Sequence, residues 1–334
     1  MKISSETWIV IAAVVLAALL AGQDVRDEWT LSRAGSPDMV HFRIEHASKG
    51  SKWSQTNDVP LASFHGLNPG QSGAARFEYV EDAGTLLCQG RFSFGAGSGT
   101  YSFQPNPKFA AGLTQLGYEA PTEAQSFSLL LMRVTLDFAS AVRDAGVKAT
   151  TAQLIELRVH GITLPYIRET QNAGYTTFDA RDFIEMKIHG VSTEFLRSLK
   201  RAGYELPSRQ ITELQIHGVS SEFMRDLDIY GLRPRAADLV ELKIHGVDPE
   251  FLKGLKDAGY GDLSATQITE IKIHGLDPKF MKDAKELGYN FTARELIDLK
   301  IHGVGAEYLR HLRESGMRNL SVEQITKLKI HGVE

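Results

Sequence analysis

The sequence predicts an α+β chain, with a small antiparallel β-domain over residues 24–106 and an αα-hairpin repeat solenoid of about eight units over 107–334. Two observations carry this. The dipeptide His-Gly recurs at His160-Gly161, His189-Gly190, His217-Gly218, His245-Gly246, His274-Gly275, His302-Gly303 and His331-Gly332, in steps of 28 or 29 residues. A fixed period in this range marks stacked units, each of which buries its apolar face only against its neighbours. Upstream, from about Trp29 to Asn106, apolar and polar residues alternate with period two between glycine clusters, which argues for half-buried strands.

Residues 1–23 read as a signal peptide or short membrane anchor. Lys2 precedes an apolar run from Trp8 to Ala21. As a helix it would span about 21 Å, short of the roughly 30 Å hydrocarbon core but suited to a signal-peptide core. The cleavage pattern is poor, with Leu19 three places before a cut after Ala21, and Gln23 stands where a lipoprotein box needs cysteine. A buried globular helix is the alternative. The expectation is an exported chain, periplasmic or at the cell surface, either freed by cleavage or anchored to the inner membrane through residues 8–21. Asp24, Asp27 and Glu28 beyond the run fit an outward-facing C-terminal side.

In the β-domain, Val40, Phe42 and Ile44 alternate with polar residues, as do Phe77 and Tyr79, then Tyr101 and Phe103. Gly66–Gly73, Gly84 and Gly95–Gly99 read as turns. Cys88, the one cysteine, is placed on a strand face with Leu86, Phe92 and Phe94. It has no partner for an internal disulfide and suits a buried small hydrophobe.

Each repeat reads as two short helices. In the unit from Leu263 to Tyr289, Ser264 and Gln267 form a capping box, and Leu263 and Ile268 have the spacing of a hydrophobic staple. The first helix should stop at His274, because Gly275 can turn left-handed and Leu276 can fold back on Ile271. Asp277 caps the second helix, with Pro278 at its first position, where a missing N–H costs nothing. An aromatic sits at a fixed place in each unit: Phe109 and Phe138 in faint early copies, then Tyr166, Phe195, Phe223, Phe251, Phe280 and Tyr308. A leucine-rich-repeat-like β/α horseshoe is the alternative, since Leu239, Leu242, Ile244 and Val247 have strand-like spacing. That reading leaves the capping boxes without a purpose.

Composition sets few limits on chemistry. A net charge of −4 gives no reason to expect nucleic acid as a partner. Equivalent histidines in stacked helices about 8–10 Å apart form a ladder rather than a metal site with bonds of about 2 Å. Each instead suits the last turn of a helix, where an imidazole can cover a free carbonyl. As a set they could confer pH sensitivity. Gly95–Gly99 leads into a strand, without the lysine of a phosphate loop, and Ser72 in Gly70–Ala74 half-matches a nucleophile elbow but lacks the final glycine. Pairs such as Glu241 and Lys243 read as a solvated, charge-balanced face. No catalytic, cofactor-binding or metal-binding residue is assigned.

The repeats LIELRVHGI, ELKIHGVDPEFLKGLKDAGY and LIDLKIHGV, with the preceding FEYVEDAGTLLCQGRFSFGAGSGTYSFQPNPKFAAGL, resemble a tail on some bacterial membrane metallopeptidases of the beta-lactam sensor-transducer type. The resemblance covers about residues 29–334. It implies an extracytoplasmic accessory or sensory region, here without the HExxH motif that carries the zinc of that family. The functional expectation is noncatalytic binding of a protein or peptide along the repeats. The alternative is a self-assembling protein, with Ile325, Leu328 and Ile330 as the contact face; a remnant hydrolase using Ser72, or a metal held by histidines, ranks last.

Overall fold

The computed structural model describes residues 26–48 and 51–333. The leader expected over residues 1–23 lies outside them. The chain divides into two compact units, the first running to Ile184 and the second starting at Glu185.

The first unit opens with seven strands: β1 (Arg26–Arg33), β2 (Met39–Ser48), β3 (Ser51–Pro60), β4 (Phe64–His65), β5 (Gly73–Glu81), β6 (Gly84–Ser93) and β7 (Ala96–Pro105). They form one antiparallel sheet in the order β3-β2-β1-β7-β6-β5-β4. The period-two alternation holds, with Trp29, Leu31, Phe42, Phe77, Tyr79, Leu86, Cys88 and Phe92 all buried. Phe42, near one edge of the sheet, lies 5.2 Å from Phe64 and 5.4 Å from Tyr79, which belong to the strands at the other edge. The sheet therefore curls into a half-barrel around a core of its own.

Glycines permit that curl. A Cβ at Gly90 would stand 2.1 Å from the Ser98 carbonyl oxygen and 2.7 Å from the Trp29 ring. The bare backbone there lets the indole lie across β6 and β7 and donate its N–H to the Thr100 carbonyl at 3.1 Å. Two readings of the β-domain need correction. Gly84 is not a turn residue: Asp82 and Ala83 make that hairpin, and a Cβ at Gly84 would meet the Gln104 carbonyl oxygen at 2.5 Å. Phe94 does not join the Cys88 face; with φ 51° it forms the β6–β7 turn beside Gly95 and is fully exposed.

Helices follow at once: α1 (Pro107–Gln115), α2 (Glu123–Leu131), α3 (Leu136–Asp144), α4 (Thr151–Val159) and α5 (Leu164–Asn172). The change from strand to helix at residue 107 falls inside the first unit. There α2 packs on β6 and β7, with Phe127 5.2 Å from Phe103 and 6.0 Å from both Tyr101 and Trp53. Arg133, at φ 53°, occupies the place that glycine takes in later units and pairs with Glu81 at 2.9 Å.

Helix α6 (Ala180–Ile188) spans the division. The second unit continues with α7 (Thr193–Arg201), α8 (Ser208–Ile216), α9 (Ser221–Ile229), α10 (Ala236–Ile244), α11 (Pro249–Asp257), α12 (Ala265–Ile273), α13 (Pro278–Glu286), α14 (Ala293–Ile301), α15 (Ala306–Glu314) and α16 (Val322–Ile330). Every one of these is nine residues long, too short to be stable alone in water. Stacking supplies the remainder: even helices pack on even ones, as α10 on α12, and odd on odd, as α11 on α13. Fully buried side chains such as Leu242, Ile271, Leu296 and Leu299 fill the space between, each contributing about 1.5–3 kcal/mol.

The expected local chemistry is present. Ser264 accepts from the Gln267 N–H while Gln267 accepts from the Ser264 N–H, at 3.3 and 2.9 Å. After α12, Gly275 takes φ 62° and the Leu276 N–H reaches back to the Ile271 carbonyl at 3.0 Å. Asp277 then caps α13. The residues before each His-Gly pair are helical and the pair itself turns the chain, with no strand among the described residues of the repeats, so the leucine-rich horseshoe alternative falls. The expected anchoring to the inner membrane through residues 8–21 is also corrected. Among the described residues no helix is long and apolar enough to cross a membrane; nine residues rise about 14 Å against a core of roughly 30 Å. Residues 8–21 themselves lie outside the described residues.

Candidate protein-binding surface

Within the second unit each even helix is built on one plan. In α12, Ile268 and Ile271 face the stack, while Glu270, Ile273 and His274 face solvent. Residues three and four apart share a side of a helix, so Glu270 sits beside both Ile273 and His274. Ile273 follows buried Ile271 by two residues, about 200° around the axis, which turns it away from the core. The same holds at Ile188, Ile216, Ile244 and Ile301, and Ile330 takes the equivalent place after half-buried Leu328. These isoleucines are 48–65% exposed, an unusual state for so large an apolar side chain when it recurs at every period.

Beside the isoleucines run the carboxylates Glu185, Glu213, Glu241, Glu270 and Asp298, all exposed; Lys327 takes the place in α16. Glu213 and Glu270 hold no ion-pair partner among the described residues. The third row is histidine. His302 Nδ1 lies 2.9 Å from the Asp298 carbonyl oxygen, which the His302 backbone N–H already occupies, and 3.7 Å from the Asp298 carboxylate; His245 likewise pairs with the Glu241 carboxylate at 3.4 Å. His160, in the first unit, is more enclosed, and burial holds its pKa below the ordinary histidine value, against the opposing pull of Glu156. The glycine after each histidine has φ between 62° and 74° and so ends the helix. Among the described residues, no group of three or more histidine, cysteine or acidic side chains could hold a metal ion.

Three of the lysines preceding the isoleucines do not stand free in solvent, whereas Lys300, before Ile301, is exposed. Lys272 lies over the Phe251 ring at 4.1 Å, Lys243 over Phe223 at 5.0 Å and Lys329 over Tyr308 at 4.6 Å. Each clamps its helix to the aromatic of the preceding period and carries its charge off the isoleucine row. Other bonds repeat this pattern. Lys285 donates to the Gly259 carbonyl at 3.1 Å, Arg313 donates to the Leu287 carbonyl, and Gln171 donates to the Ala145 carbonyl at 2.6 Å. Each covers a free carbonyl at the end of the odd helix before it. The hydroxyls of Tyr204 and Tyr260 reach forward to the Pro234 and Phe291 carbonyls, both at 2.6 Å.

The three residues expected to form an assembly face are separated. Ile325 is wholly buried in the stack, Ile330 belongs to the isoleucine row, and half-buried Leu328 lines a hollow of about 370 Å³ with Met317, Leu320 and His331. Ser72 is exposed in the loop before β5, which a strand rather than a helix follows. Burial pushes the Cys88 thiol up to about 12, far from a reactive thiolate. Sequence reasoning missed the isoleucine row; its signal was the position of each isoleucine, two residues beyond a core leucine, isoleucine or methionine.

The surface is thus a ladder of exposed isoleucines flanked by carboxylates and histidines, carried on a stack of short helices. No family model, no curated protein and no solved structure matches the chain.

Proposed function

We propose that this protein is a noncatalytic repeat scaffold that binds a protein or peptide along its helical layers. The repeat-solenoid architecture is typical of interaction scaffolds. The observation that carries the reading is the isoleucine row: six large apolar side chains exposed at one place in successive periods. Leaving them in water forgoes burial free energy at every period, and a partner that covers them recovers it. The resemblance to the repeat tail of sensor-transducer metallopeptidases fits an accessory or sensory module of this kind.

The test is affinity capture with the full chain immobilised, using extract of the source cells and quantitative mass spectrometry. A protein retained in stoichiometric amount, and absent from a control column carrying an unrelated helical-repeat protein, is the expected result. Retention of nothing above that control would refute the reading. A second reading, self-association through the hollow beside Leu328, predicts a mass that rises with concentration in light scattering and returns to the monomer in Leu328→Glu.

A further inference from the structure

Resting on the protein-binding reading, we infer that the isoleucine row is the docking site and that its occupant is a basic amphipathic helix of a partner protein. Charge comes first. The row runs beside Glu241, Glu270 and Asp298, while two of the three neighbouring lysines, Lys243 and Lys272, lean away over the rings of the preceding period and Lys300 stays exposed. A second copy of this chain would set carboxylates against carboxylates. A segment bearing lysine or arginine beside its apolar residues would pair with them instead.

Spacing selects the helix. Packed helices lie about 8–10 Å apart, so successive isoleucines present an apolar contact at about that interval. An α-helix laid along the row returns to the same face every seven residues, about 10.5 Å. A strand returns to one face at about 6.6 or 13 Å and matches less well. The occupant is therefore expected to carry an apolar residue every seven positions, with cations on the flank toward the carboxylates.

The experiment measures fluorescence anisotropy of three labelled 28-residue synthetic helices against the full chain. One carries leucine every seven residues with flanking lysines; the second replaces those lysines with glutamate; the third replaces the leucines with glutamine. Only the first should bind. Ile244→Ser/Ile273→Ser/Ile301→Ser should weaken it at least tenfold with an unchanged circular dichroism melt, since these side chains lie outside the core. Glu241→Lys/Glu270→Lys/Asp298→Lys should switch preference to the glutamate peptide. Equal binding of the first and third peptides, or binding indifferent to both triple variants, would overturn the inference. If a protein captured by the wild-type chain stays on the serine variant, the isoleucine row is refuted and protein binding stands. If the wild-type chain captures nothing and binds none of the peptides, both fall.

Discussion

Two glycine-to-alanine substitutions separate conformational strain from steric collision. Gly275 ends α12 at φ 62°, and a Cβ built there meets nothing within 4 Å. The cost of Gly275→Ala is then purely that of an L-residue held left-handed, about 1–2 kcal/mol. The unfolded chain loses freedom too, which returns about 0.4–1 kcal/mol, so the net loss is about 1 kcal/mol. Gly275→Asn should recover part of it, because asparagine tolerates that conformation better. Gly90→Ala is different in kind: its Cβ would stand 2.1 Å from the Ser98 carbonyl oxygen and 2.8 Å from the Gly99 Cα. Both obstacles are backbone, and Trp29 beside them is wholly buried, so β6 and β7 must part around the indole. A loss of about 3 kcal/mol or more follows. Urea unfolding reads both, by far-ultraviolet circular dichroism for Gly275 and by tryptophan emission, in a chain with Trp8 and Trp53 replaced by phenylalanine, for Gly90. A Gly275→Ala loss equal to that of Gly90→Ala, or no difference between alanine and asparagine at 275, would refute the reasoning.

Three further outcomes are expected. Phe94→Asn should raise stability by about 1 kcal/mol in thermal unfolding, because a bulky residue at φ 51° is exchanged for one suited to that turn at no loss of burial. Ser264→Ala should cost about 1 kcal/mol by the same assay, through loss of the cap on α12. His160 supplies a pH dependence. Its native pKa lies below the ordinary histidine value, so the unfolded chain takes the proton first. Stability linked to this group is complete above the ordinary value and is lost as pH falls through it toward the native one. His160→Gln should therefore narrow the gap between melting temperatures at pH 8 and pH 5, and an unchanged gap would exclude the effect.

Local chemistry was the legible part of the fold. Ser264 with Gln267, Gly275 with Leu276, and Asp277 with Pro278 each bring their partners within a few residues, so the helix pairs could be drawn from spacing alone. What escaped was contact across a period or across the sheet. Lys272 looks like a solvated partner of Glu270 until Phe251 of the preceding period is placed beneath it. Gly90 and Trp29 are sixty-one positions apart, and only the strand order β1-β7-β6 brings them together. Gly84 likewise answers to Gln104 across the sheet, whereas Phe94 answers to a local turn, where its φ of 51° suits glycine or asparagine better than a bulky residue. Ile244 was visible as an apolar residue, but its outward direction depends on phase within α10, where Leu242 takes the core position.

The bonds that Lys285 and Arg313 send back to the helix before them have a consequence for how such a chain changes length. At these junctions one period closes a carbonyl of its predecessor. Excising or duplicating one whole period would regenerate the same junction, whereas a cut within a period would strand carbonyls on one side and donors on the other. Length is thus adjustable in steps of one period at almost no penalty in local bonding, and every step adds or removes one rung of isoleucine.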